Sequence, residues 1–203
     1  IFSIQATAVL AHLFKTQRDA VGLSIFNEKI ELITQARSSS MHQKYLYSEL
    51  EKLIIGISKD TQKHTFASSC IDEIADIIPK RSLVIIFSDM FDNKDNYDKI
   101  FAALQHLRHN KHEVLLFHVL DNDKENNFNY TSQPHKFIDL ETQNEVKLNP
   151  LDLKKSYQTF MSEFKNNIKF KCEQAVIDFI ECDINKGYND ILLAYLIKRK
   201  FLY

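Results

Sequence analysis

The chain alternates between short apolar runs and longer amphipathic stretches. Short runs rich in β-branched and aromatic residues predict strands, and apolar residues three or four positions apart predict helices. Strands are predicted at 21–26, 30–33, 83–87, 113–120 and 176–181. Helices are predicted at 4–17, 38–54, 65–78, 97–107, 150–173 and 189–200.

This alternation predicts an α/β fold, doubly wound, with a mostly parallel sheet and helices on both faces. The run 83–87 is apolar on both faces, so it predicts the central strand, with Ile85 and Phe87 buried. The polar residues 27–29 predict a tight turn that pairs 21–26 and 30–33 antiparallel at one side of the sheet. The segments 136–140 and 145–148 predict a separate small hairpin, and the polar segment 121–134 predicts an exposed loop.

Composition narrows the class of protein. With 203 residues, the chain is long enough for one α/β core, and we find no internal repeat or boundary, which predicts a single domain over 1–203. A net charge of −1 gives no reason to expect nucleic acid or an anionic membrane as a partner. Cys70, Cys172 and Cys182 are odd in number and far apart, which predicts reduced thiols in the cytoplasm. No apolar run is long enough to span a bilayer.

Ser88 and Asp89 form the first candidate site. They follow the run 83–87, and ligands of open α/β sheets bind where strands reach their carboxyl ends. Thr65, at the start of the preceding helix, is expected on the same rim. Oxygen donors of these three kinds suit magnesium, which needs only one or two carboxylates. The alternative is that Asp89 is a turn or helix-capping carboxylate and that Thr65 is an ordinary N-cap.

Other chemical motifs are weak. The three glycines are isolated, so no phosphate-binding loop is predicted, and no G-x-S-x-G elbow or activated cysteine is present. His106, His109 and His112 recur every third residue, a spacing that permits a metal site on a helix. Their position at a helix C-terminus favours the simpler explanation of interaction with the helix dipole. His118, within a strand, is expected to be a hydrogen-bonded core histidine.

Several segments carry a family resemblance. The segment DAVGLSIFNEKI at 19–30 resembles the second and third strands of von Willebrand factor A (vWA) domains. The segment LVIIFSDMFD at 83–92 also resembles vWA domains, and HLRHNKHEVLLFHVLD at 106–121 follows it. Together with FIDLET at 137–142 and LAYLIKR at 193–199, they resemble the bacterial "domain of unknown function 58" family, which is vWA-like. The resemblance covers nearly the whole chain.

The resemblance implies a vWA-like, Rossmann-like sheet with a metal-ion-dependent adhesion site. That site takes an Asp-x-Ser-x-Ser motif after the first strand, a Thr from a later loop and an Asp after the fourth strand. Asp89 matches the last of these, and Thr65 matches the second by position, with Thr61 a nearby rival. The first motif is absent, and Ile1 falls where that strand and loop should have ended. We therefore expect an N-terminally incomplete domain, with a further strand between 21–26 and 83–87, and an incomplete magnesium site of Asp89, Thr65 and Ser88.

The resemblance also implies a function. Family members resemble proteins that work with MoxR-type AAA+ ATPases in assembling or activating other proteins. We expect a non-enzymatic, metal-dependent protein-interaction domain. The alternatives are a receiver-like phosphotransfer or hydrolase domain using Asp89, and a structural domain with a vestigial metal site. For a receiver, Asp19 and Asp121 are too isolated to supply the second acidic cluster.

Overall fold

The computed structural model describes residues 1–27, 29–56, 67–90, 94–131, 133, 135–138 and 145–200. The helices are α1 Phe2–Thr16, α2 Ser40–Gly56, α3 Ala67–Ile77, α4 Lys94–His109, α5 Pro150–Gln174 and α6 Asn189–Lys200. The strands are β1 Ser24–Phe26, β2 Ile30–Ile33, β3 Leu83–Ser88, β4 Glu113–Leu120, β5 His135–Ile138, β6 Glu145–Leu148 and β7 Asp178–Asp183. The predicted order of strands and helices is confirmed.

Among the described residues, the main sheet has three parallel strands in the order β3-β4-β7. β4 pairs on both edges, so that Phe117 lies opposite Phe87 on one side and Ile180 on the other. The prediction that the run 83–87 is the central strand is wrong for the described residues. The strand at the centre is β4, whose side chains are buried almost without interruption.

Helices cover both faces of this sheet, as predicted. Alternate residues of a strand point to opposite faces, so neighbouring positions of β4 belong to different cores. On one face α3, α4 and α5 pack over a core that includes Ile86, Val114 and Leu116. On the other face α1 and α6 pack over Leu115, Phe117 and Cys182. The chain therefore has the doubly wound α/β architecture that the sequence predicts.

The predicted hairpin at 21–33 forms, but outside the main sheet. β1 and β2 pair antiparallel, with Ser24 opposite Ile33, as a separate two-stranded sheet. The prediction that they join the parallel sheet is therefore wrong, because a cavity lined by Phe26 and Phe87 separates β1 from β3. The further strand expected between them stays a prediction. β5 and β6 form the separate antiparallel hairpin that was predicted.

Burial also departs from the prediction within β3. Ile85 and Phe87 were expected to be buried, but both are only half-buried, whereas Ile86 is buried. The difference has a physical cause, because β3 pairs with only one strand among the described residues. Phe87 still stacks on Phe117, with ring centroids 4.8 Å apart. By contrast, Leu116 and Phe117 of β4 are at 0 % exposure.

The end of α4 is held by contacts to α3. The Asn110 side chain donates to the Ala75 carbonyl (3.0 Å), and Lys111 turns the chain through a left-handed conformation with φ 66°. His106 lies between two carboxylates of α3, with Nδ1 3.1 Å from Asp72 and Nε2 3.4 Å from Asp76. The helix ends at His109, two residues beyond the predicted range 97–107, and its last turn carries basic side chains as expected.

The described part of the chain contains no helix with both the length and the apolarity needed to cross a membrane. Its three cysteines are buried and unbridged. Burial, followed by the nearby Glu173 and Glu181, raises the pKa of Cys172 and Cys182 to about 12. These thiols are therefore protonated at neutral pH and poor nucleophiles.

We predict that stability depends more on β4 than on β3. Leu116→Ala removes a fully buried side chain and should lower the free energy of unfolding by about 2–5 kcal/mol. Ile85→Ala should cost less, because part of that side chain is already in contact with water. Urea denaturation of both variants measures the difference. An Ile85 effect equal to or larger than the Leu116 effect would contradict the strand order.

Candidate functional site at the carboxyl edge of the sheet

An aspartate stands at the carboxyl end of each strand of the main sheet. Asp89 and Asp121 immediately follow β3 and β4, and Asp183 is the last residue of β7. Since the three strands are parallel and in register, their carboxyl ends share one edge, with Leu120 paired to Asp183. The sheet thus concentrates negative charge where α/β folds bind ligands.

A cavity of about 540 Å³ opens at this edge, bounded by β1, β3 and β4. Part of its wall is apolar and includes Phe26 and Phe87. The polar groups that line it are hydroxyls and carboxylates: Ser3, Ser24, Ser88, Asp89, Asp121 and Glu125. No lysine or arginine is among the described residues of its lining, so the cavity is negatively charged at neutral pH.

The turn that carries Asp89 is fixed by several contacts. The backbone N–H of Met90 donates to Ser88 Oγ (3.0 Å), and His118 Nε2 lies 2.9 Å from the Asp89 carbonyl oxygen. Met90 has φ 54°, in the left-handed region that non-glycine residues rarely occupy, and its side chain is buried. The Asp89 residue itself is exposed. Because Met90 is left-handed rather than helical, Asp89 is not followed by a helical residue as an N-cap would be.

The segment after β4 is more ordered than predicted. Asp121 Oδ1 accepts from the backbone N–H groups of Asp123 (3.1 Å) and Lys124 (3.3 Å), which starts a π-helical turn over Asn122–Asn126. Phe128 is buried in the left-handed region (φ 48°) and packs on Tyr157 at 4.5 Å. The prediction of an exposed polar loop over 121–134 is therefore wrong for this part, because one aromatic side chain anchors it. π-Helical turns are rare and often found at functional sites.

Asp183 joins the ends of β4 and β7. Its carboxylate accepts from the Asn122 side chain (3.2 Å) and from the Asn185 backbone N–H (3.1 Å). Partial burial opposes ionisation of Asp183, but the hydrogen bonds from Asn185 and Asn122 outweigh it and lower the pKa. Asn185 Nδ2 also donates to Asp121 Oδ1 (2.7 Å). This aspartate therefore holds the two loops together rather than facing the cavity.

Glu125 is a site residue that the sequence analysis missed. Its Oε2 accepts from the Asp121 backbone N–H (3.2 Å). Burial raises the pKa of Glu125, and the hydrogen bond from the Asp121 backbone partly offsets that rise. The charges of Asp89 and Asp121 raise the pKa further. Asp19 and Asp121 were judged too isolated to supply the second acidic cluster of a receiver; Asp121 lines the same cavity as Asp89, whereas Asp19 is not among its lining residues. The signal in the sequence was an aspartate directly after the apolar run 113–120.

Comparison with known proteins assigns the family. The family model "Protein of unknown function DUF58" matches residues 2–167, which is most of the chain. The chain belongs to the DUF58 family. No curated protein and no solved structure matches it.

The predicted ligands of the DUF58 chain are only partly brought together. Ser88 and Asp89 adjoin the cavity, whereas Thr65 lies outside the described residues. Their oxygens suit magnesium in kind. Within the described ranges, however, no group of three or more His, Cys, Asp or Glu side chains is arranged to hold a metal ion. The described part of the chain therefore shows no assembled metal site.

The three histidines spaced three residues apart do not assemble into a site. His106 contacts Asp72 and Asp76, His109 is exposed, and His112 is fully buried, where its Nδ1 accepts from the Ser82 backbone N–H (3.2 Å). His118 is a hydrogen-bonded core histidine, as expected, but its partner is the backbone of Asp89. It therefore connects the core with the candidate site.

We predict that acid destabilises this DUF58 chain. Burial, opposed in part by hydrogen bonds, lowers the pKa of His112 and His118 below the ordinary value of 6.5. The unfolded chain therefore takes up protons at a higher pH than the folded chain does. The stabilisation from these neutral histidines is complete above pH 6.5 and is lost as the pH falls from 6.5 toward the lowered values.

Urea unfolding at about pH 7.5, 6.5 and 5.5 measures this dependence. The free energy of unfolding should decrease across the series, and the decrease should be smaller in His118→Gln. The raised pKa of Glu125 acts with the opposite sign, so both chains should carry Glu125→Gln. A pH slope unchanged by His118→Gln would show that His118 is not the group that titrates.

Proposed function

We propose that this DUF58 chain is a non-enzymatic protein-interaction domain that binds its partner at the carboxyl edge of the sheet. The observation that carries the proposal is the exposed Asp89 on a fixed turn beside a negatively charged cavity. A rigid turn presents a charged group without an entropic cost of ordering on binding. The apolar walls of the cavity add surface that a partner side chain can cover.

We further propose that binding depends on magnesium. Asp89 and Ser88 would hold the ion, with Thr65 as the third ligand implied by the resemblance. Bound magnesium supplies an open coordination position for a carboxylate of the partner. The charge of the cavity supports this proposal, because the carboxylates of Asp89, Asp121 and Glu125 would repel an acidic partner unless a cation intervened.

The chemistry of the other ionisable groups supports a binding role. Burial makes Cys172 and Cys182 poor nucleophiles, and it keeps His112 and His118 neutral within the core. None of these four side chains lines the cavity. We propose a MoxR-type AAA+ ATPase as the partner, on the basis of the family resemblance, and the cytoplasm as the place where they meet.

A receiver-like phosphotransfer domain is the second candidate. Asp121 and Glu125 beside Asp89 favour it, since they form an acidic cluster at a neighbouring strand end. A receiver also requires a positioned lysine, and the described lining of the cavity has none. Incubation with acetyl phosphate, followed by mass spectrometry, separates the two. Phosphorylation of Asp89 would support phosphotransfer, and an unmodified Asp89 would support the binding domain.

We predict that Asp89→Ala abolishes magnesium-dependent partner binding and leaves the fold intact, because the residue is exposed. Pull-down of the AAA+ partner with the full-length protein, with and without magnesium, measures the effect. The matched control is Asp76→Ala, whose carboxylate is 71 % exposed and contacts His106, away from the cavity.

The proposal expects magnesium-dependent recovery for the parent and for Asp76→Ala, and none for Asp89→Ala. Equal recovery for all three proteins, with and without magnesium, would contradict it. A parent that binds the partner equally well in either condition would point to a structural domain with a vestigial metal site.

A further inference from the structure

His118 lies toward the carboxyl end of the central strand, β4. It is fully buried on β4, opposite Ser88 of β3 and Glu181 of β7. Its ring lies beside Phe179 (centroids 5.6 Å apart) and Phe164 (6.4 Å). A polar ring in such surroundings destabilises the fold unless its nitrogens are hydrogen-bonded.

The hydrogen bond to Asp89 determines the tautomer of this ring. A carbonyl oxygen can only accept, so Nε2, 2.9 Å from the Asp89 oxygen, must carry the proton. Nδ1 is buried and has no hydrogen-bond partner among the described residues. His118 is therefore neutral, with its proton on Nε2.

The same bond acts on a strained turn. Met90 adopts φ 54° with its side chain buried, and its N–H donates to Ser88 Oγ. A left-handed conformation at a residue with a side chain costs free energy and persists only when the surroundings enforce it. The His118 donor, the Ser88 hydroxyl and the burial of Met90 together supply that enforcement.

We propose that His118 is the positioning residue of the site: its neutral Nε2–H donor fixes the Ser88–Asp89–Met90 turn and so presents the Asp89 carboxylate to the cavity. The consequence for partner binding rests on the function proposed above, whereas the tautomer and the rigidity of the turn do not. The charged groups around the ring are Glu181, Asp89 and Lys165, and Lys165 pairs with Glu181 at 2.7 Å.

The test uses two substitutions at one position. His118→Phe keeps an aromatic ring beside Phe164 and Phe179 but removes the donor. His118→Gln keeps a donor at a similar reach from the backbone. The matched control is His112→Phe, which replaces another fully buried histidine whose hydrogen bond is to Ser82, away from the turn.

Two readouts separate positioning from general stability. Long-range ¹H–¹⁵N spectra of the parent should show His118 protonated on Nε2. The Met90 amide should exchange with solvent roughly three- to tenfold faster in His118→Phe, as expected for the loss of one hydrogen bond. Exchange in His118→Gln should be close to that of the parent, and His112→Phe should not accelerate Met90 selectively.

The proposal is overturned if the parent carries the proton on Nδ1, or if Met90 exchanges equally fast in the parent and in His118→Phe. Equal acceleration by Phe and Gln would also overturn it. If His118→Phe does not fold, the tautomer of the parent and the Met90 exchange rate in His118→Gln still test the proposal. Partner recovery should fall in His118→Phe and be restored in His118→Gln. A parent that recovers no partner refutes the proposed function alone.

Discussion

The fold depends on one strand that is enclosed on every side. β4 pairs with β3 and β7 along its two edges, and its two faces belong to two separate cores. A strand that is almost entirely buried must satisfy its polar backbone groups with hydrogen bonds, and parallel pairing on both edges achieves that. Parallel neighbours also require crossover connections, which place helices on both faces.

The same constraint creates the candidate site. Because the strands are parallel, their carboxyl ends lie together, and the aspartates at those ends face a common edge. They are not equivalent: Asp183 is held by Asn122 and Asn185, whereas Asp89 is exposed on a turn above His118. The hydrogen bonds of Asp183 give it a role in joining two loops, whereas Asp89 lies at the exposed rim of the cavity.

Most of the elements could be predicted from the sequence, because hydrophobic periodicity reports directly on burial. The position of a strand within the sheet could not be predicted. The run 83–87 is as apolar as a central strand, but among the described residues it pairs with a neighbour on one edge only. The separation of the hairpin 21–33 from the main sheet was missed for the same reason. Periodicity reports which side chains avoid water and says nothing about which strands are neighbours.

Prediction of the site was partial. The position of Asp89 beside the cavity could be expected, because an aspartate directly after a strand lies at the carboxyl edge of an α/β sheet. Glu125 was missed because its approach to Asp89 depends on the π-helical turn, whereas Asp121 follows the run 113–120 just as Asp89 follows the strand at 83–88. The role proposed for His118 depends on its hydrogen bond to the backbone oxygen of Asp89, the residue that follows β3. A sequence carries no signal for such a contact.

The central claim is that a divalent cation binds at the carboxyl edge of the sheet. Titration of the ¹⁵N-labelled protein with Mn²⁺, which broadens the signals of amides near the ion, tests it most directly. The account predicts that the amide signals of Ser88, Asp89 and Met90 broaden most and that the Asp121 signal broadens less. Excess magnesium should reverse the broadening. Broadening centred on His106 and its partners Asp72 and Asp76, or no selective broadening, would contradict it.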